Sequence, residues 1–204
     1  VAGGYREERQ ICRSEIIEIG AVIMDESFMV LGEFKTLVKP QYNDSIYKKY
    51  ETLTGISTQM VYGAPTFATA YEMFANWCES YGSDYEVYAW SDSDYHQLTS
   101  EMKLKKYDKE EMMRPLESWF DFQKEFKEAL GLERIPSLEK ALNYAGIDFA
   151  GRMHDALCDA KNTAELFAIV RNEQTTEMLV GQIITDIFNA MDELDDVKHF
   201  WKWS

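Results

Sequence analysis

Ile16, Ile17, Ile19, Ala21, Val22, Ile23 and Met24 form an apolar, largely β-branched run interrupted only by Glu18 and Gly20. It is too short to cross a bilayer as a helix, which takes about 20 residues. A near-continuous run of this kind, rather than a strict alternation, is what a strand covered on both faces needs, so the segment predicts a central strand. Phe34 to Val38, stopped by Pro40, reads as its hairpin partner across Asp25 to Gly32.

Downstream the period changes. After Pro65 and Thr66, the residues Phe67, Ala70, Tyr71, Phe74, Trp77 and Cys78 recur at three- and four-residue spacing, with Gly82 just beyond, which predicts a helix. Val87 to Trp90 predicts a short strand, Asp94 to Leu104 a helix, and Trp119 to Leu130 a helix closed by Gly131. Ser137 to Ala145 predicts a further helix. Two more helices are expected, from about Asp155 to Arg171 and from about Thr175 to Met191. Strands lead and helices follow, so the expected class is α/β with a mixed sheet. No repeat or low-complexity linker divides the chain, and 204 residues with 46% hydrophobic side chains suit one domain, 1–204. Its core is expected over about 15–171, with an appended helix and tail over about 175–204.

Lysine and arginine number 21 against 36 acids, a formal charge of -15. This argues against a protein that coats long nucleic acids, because nonspecific binding rests on cationic contacts to phosphates. It leaves room for a site holding a few nucleotides at a strand end, where divalent cations supply the local positive charge. Cys12, Cys78 and Cys158 are widely spaced and odd in number, which fits reduced thiols rather than a disulfide framework or a Cys-x-x-Cys zinc site. With no apolar stretch of spanning length and no signal-peptide pattern, a soluble cytoplasmic protein is the expectation.

Two segments carry candidate chemistry. In Gly151-Arg-Met-His154-Asp-Ala-Leu-Cys-Asp159, a histidine in a polar turn precedes an Ala-rich helix. Ala156, Ala160 and Ala164 with Phe167 make a small-residue face that lets this helix approach a sheet closely, carrying Asp159 to the strand ends. A carboxylate there can bind a hard cation, and a mobile His154 can take a proton from an attacking water. Taken alone, the pair reads more readily as a capped helix start with a surface aspartate. The second segment is Val87-Tyr-Ala-Trp-Ser-Asp-Ser-Asp94, where a strand ends in a polar turn, the place where open α/β sheets put ligands. Its bland alternative is that Asp92 or Asp94 caps the following helix.

In order, these segments follow the strand Glu15-Ile-Ile-Glu18-Ile-Gly and the stretch Leu53-Thr54-Gly55-Ile56, with Val61 and Ala64-Pro65-Thr66-Phe67 after it. Over residues 15 to about 170 the chain resembles the DEDDh 3′-to-5′ exonucleases, which have the ribonuclease H-like fold and include the proofreading-subunit, ribonuclease T and oligoribonuclease group. The resemblance implies a mixed five-stranded sheet flanked by helices. It implies Asp94 and Asp159 as metal ligands, His154 as general base, and Leu53, Thr54, Gly55 and Ile56 around the terminal nucleotide. Two Mg²⁺ or Mn²⁺ ions per site and a single-stranded nucleic-acid 3′ end as partner are implied with them. The family's first motif, Asp-x-Glu on a strand ahead of Glu-Ile-Ile-Glu, is expected before Val1, since Val1 to Tyr5 hold no acid and Glu7 and Glu8 sit in a polar stretch. A catalytically inactive module that binds nucleic acid or protein in the same groove is the alternative reading.

Other features read as ordinary surface or core. Lys103, Lys105, Lys106 and Lys109 fit a solvated helix end, with substrate-backbone contact as the other reading. Trp90 and Tyr95 are readable as base-stacking groups, and Trp90 equally as core. The stripe Met178, Leu179, Ile183, Ile187 and Met191 is expected to pack on the domain, which leaves a dimer contact open, and Phe200, Trp201 and Trp203 are left without a role.

Overall fold

The computed structural model describes residues 14–172 and 174–185. Its chain order is β1 (Glu18–Met24), β2 (Val30–Leu37), α1 (Lys48–Thr54), α2 (Thr58–Tyr62), α3 (Phe67–Glu79), β3 (Val87–Ala89), α4 (Ser93–Leu104), a 3-10 turn (Glu110–Met112), α5 (Arg114–Glu117), β4 (Trp119–Asp121), α6 (Phe122–Ala129), α7 (Leu138–Tyr144) and α8 (Ala156–Val170). Residues 174–185 are helical. The expected residues Ile187, Phe188 and Met191 of the last helix, and the aromatic tail, lie outside the described residues. Among those described, no helix is long and apolar enough to cross a membrane.

β1 and β2 form an antiparallel hairpin, pairing Glu18 with Leu37 through Met24 with Val30. The Asp25 carboxylate shapes its turn by accepting the backbone N–H groups of Ser27 (2.8 Å) and Met29 (2.9 Å), the local bond that suits aspartate to turns. β3 and β4 pair in parallel, Val87 with Trp119 through Ala89 with Asp121. The α/β class is as expected. Of the five strands expected, the described residues supply four, in two pairs. The helix expected from Trp119 also differs. Trp119 and Phe120 extend as β4 beside β3, and Asp121 caps α6 by accepting the Lys124 N–H at 3.2 Å, because pairing against β3 outcompetes local helical preference.

The period-2 alternation of β1 divides its neighbours. Ile19 and Ala21 join the core of Val38, Phe67, Tyr71, Phe74 and Leu98, which is built largely on α3, whereas Glu18 and Gly20 meet the start of α8. Thr66 starts α3 by accepting the Thr69 N–H. A second core gathers Phe122, Phe126, Leu142 and Leu166, with Trp90 against both phenylalanines at ring separations of 5.9 and 5.5 Å. Trp90 is therefore core rather than a base-stacking surface. Ile183 is buried on the same cluster with Leu179 beside it, so this part of the last apolar stripe packs on the domain, while Met178 and Ile184 are exposed.

Lys103, Lys106 and Lys109 are exposed, as a solvated helix end requires, but Lys105 departs from that reading. Its side chain is 5% exposed and its ammonium lies 3.0 Å from Glu15 and 2.6 Å from Glu101, each 1% exposed. Glu15 also accepts the N–H groups of Gln41 (2.7 Å) and Tyr42 (2.9 Å), and Glu101 accepts the Ile16 N–H. The triad thus ties the entry of β1 and the loop after β2 to α4. Burial by itself would push the Glu15 carboxyl up, but the Gln41 and Tyr42 N–H groups and Lys105 together hold it below its ordinary value of 4.5. Lys105→Met should lower unfolding stability by about 3–5 kcal/mol, the cost of leaving buried charge without its partner. Urea denaturation at pH 7 checks this. Because the folded pKa of Glu15 is depressed, its stabilisation is present above pH 4.5 and is lost as pH falls through the lower folded value. The deficit of the variant should therefore shrink in acid.

Candidate active site

The site is organised by the start of α8. Gly20 faces it so closely that an added Cβ would stand 2.3 Å from the Leu157 nitrogen and 2.4 Å from the Ala156 carbonyl carbon, both backbone atoms that no rotamer change can move. The Ala-rich face expected to permit a close approach does so, and glycine on the strand supplies the other half of the contact. Glu18 accepts the Ala156 N–H at 2.8 Å, and Asp155 caps the helix by accepting from Leu157 and Cys158 at 3.2 and 3.1 Å. Lys35 bridges these two acids, 3.1 Å from Glu18 and 2.5 Å from Asp155. Carboxylates at a helix N-terminus satisfy its orphan N–H groups and meet the positive end of its dipole.

One turn into α8, Asp159 is half-buried, and its carboxyl is raised above the ordinary range chiefly by burial. The His154 N–H and the charge that His154 carries when protonated offset part of this shift, while the charges of Asp155 and Asp94 add to it. The two predicted aspartates, 65 positions apart by their numbers, are therefore within reach of each other's charge. Asp94 lies in the first turn of α4, just past β3. It is open to solvent, yet enough protein surrounds it that burial raises its carboxyl.

Asp92 differs. Lys124 lies 2.9 Å from both Asp92 and Asp121, and chiefly its hydrogen bond holds Asp92 below the usual carboxylate range. Neither bland alternative for this turn holds in full: Asp92 occupies the N-cap without making a side-chain cap bond, and Asp94 lies inside the helix. His96, 3.9 Å from Asp92, belongs to the same paired-charge surface.

His154 sits in an exposed turn with a left-handed φ of 64°. Asn162, 1% exposed, holds the base of this turn by bonding Ala150 through both amide atoms at 2.9 and 3.0 Å. Sequence reasoning passed over Asn162 because a polar residue on a helix carries no mark of what it faces. The segment Leu53–Ile56 closes α1. Gly55 is its left-handed cap with φ 78°, the Ile56 N–H donates to Thr54 Oγ1, and Ile56 is buried with Ile46 and Val61 while Leu53 is exposed. Arg152 joins the segment to the histidine turn by donating to the Thr52 carbonyl at 2.8 Å. Asp159 is thus within reach of the charges of His154 and Asp94, and Arg152 links the Leu53–Ile56 segment to the histidine turn.

Two carboxylates raised by burial, Asp159 also by the charge of Asp94, suit a hard divalent cation, which would relieve both costs. Among the described residues, no three histidine, cysteine or acidic side chains group closely enough to hold a metal ion. The pair is half of the four carboxylates that the resemblance implies.

The scaffold is mixed α/β, with Asp94 just past the end of β3 and within electrostatic reach of Asp159. The exonuclease family profile (RNase_T) matches residues 10–167, so the chain belongs to the exonuclease family. Similar proteins include ERI1 exoribonuclease 2 of Danio rerio, 32% identical over 78% of this chain and 32% of that protein. The Xenopus laevis protein of the same name is 30% identical over 89% of this chain and 28% of its own length. The chain thus spans about a third of the length of these curated relatives. Among solved structures, the nuclease domain of 3′hExo, a DEDDh family member bound to rAMP, superposes with a TM-score of 0.69 at 24% identity, covering 76% of this chain and 79% of that one. Cell-death related nuclease 4 (CRN-4) gives 0.67 at 24% identity, covering 78% and 57%. The fold is that of the DEDDh exonucleases.

Gly20→Ala should force β1 and α8 apart and cost about 3 kcal/mol, at the upper end for overpacking, measured by urea denaturation. Asp94→Asn should act in the opposite direction. A carboxyl whose folded pKa is raised gives stability that is complete below its ordinary value of 3.8 and is lost as pH rises through the folded value. Removing that charge should therefore raise the metal-free melting midpoint at pH 7. Added Mn²⁺ should raise the midpoint of the parent protein and leave that of Asp94→Asn unmoved, as calorimetry would show.

Proposed function

We propose that this protein is a metal-dependent 3′-to-5′ exonuclease that removes nucleotides one at a time from single-stranded RNA ends, and DNA ends less readily, releasing nucleoside 5′-monophosphates. The observation that supports this reading is that Asp159 lies within reach of the charges of both Asp94 and His154. In this reading Asp94 and Asp159 hold divalent cations, Mg²⁺ or Mn²⁺, two per site. When bound, such ions stabilise charge developing on the scissile phosphate and the leaving 3′ oxygen. His154, exposed and on an irregular turn, accepts the proton of the attacking water as the new P–O bond forms and the bond to the 3′ oxygen breaks. Leu53, Thr54, Gly55 and Ile56 border the terminal nucleotide.

The preference for RNA is supported by the relatives named exoribonucleases and by a fold neighbour whose structure shows 3′-end recognition of a histone mRNA stem-loop. The charge of -15 favours short or isolated strand ends over long tracts. The alternative is a catalytically inactive module that binds nucleic acid or protein in the same groove.

A 5′-labelled single-stranded RNA should shorten stepwise in Mn²⁺, faster than its DNA counterpart, and stop shortening in excess chelator. His154→Ala should slow the reaction by about 100-fold or more, the range for a lost general base, without lowering the melting midpoint. Retention of the labelled RNA without any shortening would establish the binding module.

A further inference from the structure

The functional reading gives Arg152 no part, yet its position joins two segments that have no other reason to move together. Its guanidinium packs against Gly55. A Cβ built on Gly55 would stand 2.1 Å from the NH1 nitrogen and 2.6 Å from the central carbon of the guanidinium. Its NH2 donates to the Thr52 carbonyl at 2.8 Å, one of the last-turn carbonyls of α1 that lack helical partners. A cation at that end of a helix is favoured by the dipole as well. Gly55 is thus fixed as glycine twice over, by a left-handed φ of 78° and by the side chain pressed on it.

The other end of Arg152 is the histidine turn. Gly151 is left-handed at φ 88° and packs on Cys158, Arg152 O accepts the Asp155 N–H at 3.3 Å, and His154 follows with its own left-handed backbone. Residues 151–154 are all exposed, so little side-chain packing fixes the direction of the imidazole. A planar fork that packs on Gly55 and donates to the Thr52 carbonyl ties this turn to the end of α1, a combination that a flexible ammonium does not reproduce.

We propose that Arg152 is a positioning residue: it latches the His154 turn to the Thr52–Ile56 segment, so that a nucleotide seated at Gly55 and the imidazole that serves it are held in one register. This rests on the assignment of Leu53–Ile56 to the terminal nucleotide and of His154 to proton transfer. It makes Arg152 act through His154 rather than on the reacting atoms. Displacement of a catalytic group by about 1 Å can cost on the order of 100-fold in rate, so loss of the latch is felt in turnover as well as in binding.

The test uses the full-length protein, with Arg152→Ala and Arg152→Lys made alone and with His154→Ala, and two measurements. Calorimetric titration with AMP reads the nucleotide segment without any turnover. Single-turnover cleavage of a 5′-labelled RNA at saturating enzyme reads the chemical step. The latch predicts that Arg152→Ala weakens AMP binding by about 10-fold and slows the chemical step by about 10- to 100-fold, with the melting midpoint unchanged. Arg152→Lys should fail to restore either. In the His154→Ala background the same substitution should slow the step no further, because its effect passes through the imidazole. Multiplying losses in that background, or rescue by lysine, would overturn the proposal. If the parent protein cleaves no RNA, the exonuclease reading falls, and AMP affinity then decides the latch alone: an Arg152→Ala protein that binds AMP as the parent does would refute it.

Discussion

Everything that makes this molecule more than a hairpin with helices around it depends on how closely α8 lies against β1. A glycine on the strand and an Ala-rich helix start let two backbones touch, and a Glu18 carboxylate from the same face of the strand closes the contact by taking a helix N–H. Such an approach has no adjustable parts, because the atoms that meet are backbone. Asp159 and the His154 turn are both within one helical turn of that contact, so their positions follow from it. The strand fixes the helix, and the helix fixes the chemistry.

The charges around this contact divide into two kinds. Lys35 pairs with Glu18 and Asp155, Lys124 with Asp92 and Asp121, and Lys105 with Glu15 and Glu101. In each case one ammonium serves two acids through charge-assisted hydrogen bonds. Asp94 and Asp159 are set apart from this scheme. Burial raises both, and Asp94 adds to the shift of Asp159. Neighbouring aspartates, Asp92 and Asp94 above all, thus differ in kind although the sequence presents them alike. Perturbation by burial and a like charge, rather than by an ion pair, marks a site rather than a staple.

What could be read from the sequence was whatever a period or a capping residue records. The β-branched run gave β1, the three- and four-residue spacing after Thr66 gave α3, and the small side chains of α8 announced a close approach, which the Gly20 contact bears out. What could not be read depended on partners distant in the chain. Trp119 and Phe120 look helical until β3 is placed beside them. Lys105 looks solvated because helical spacing cannot reveal Glu15, which arrives from ninety positions away. Asn162 and Arg152 lay in plain view beside the histidine, but their meaning is in the carbonyls they reach, Ala150 and Thr52, and no local pattern encodes those. The sheet was legible only as pairs, since strand order across a gap is a property of the assembled layers.

The backbone at His154 carries a further implication. A left-handed φ of 64° disfavours most L residues by about 1–2 kcal/mol, while glycine and asparagine adopt it readily. At this one position local conformational preference and chemistry pull toward different amino acids. A laboratory selection that rewarded heat resistance alone would drift toward His154→Gly or His154→Asn and would discard the imidazole as a by-product. The turn is therefore a place where durability and purpose are traded against each other, and where a relative carrying glycine or asparagine would declare which of the two its lineage kept.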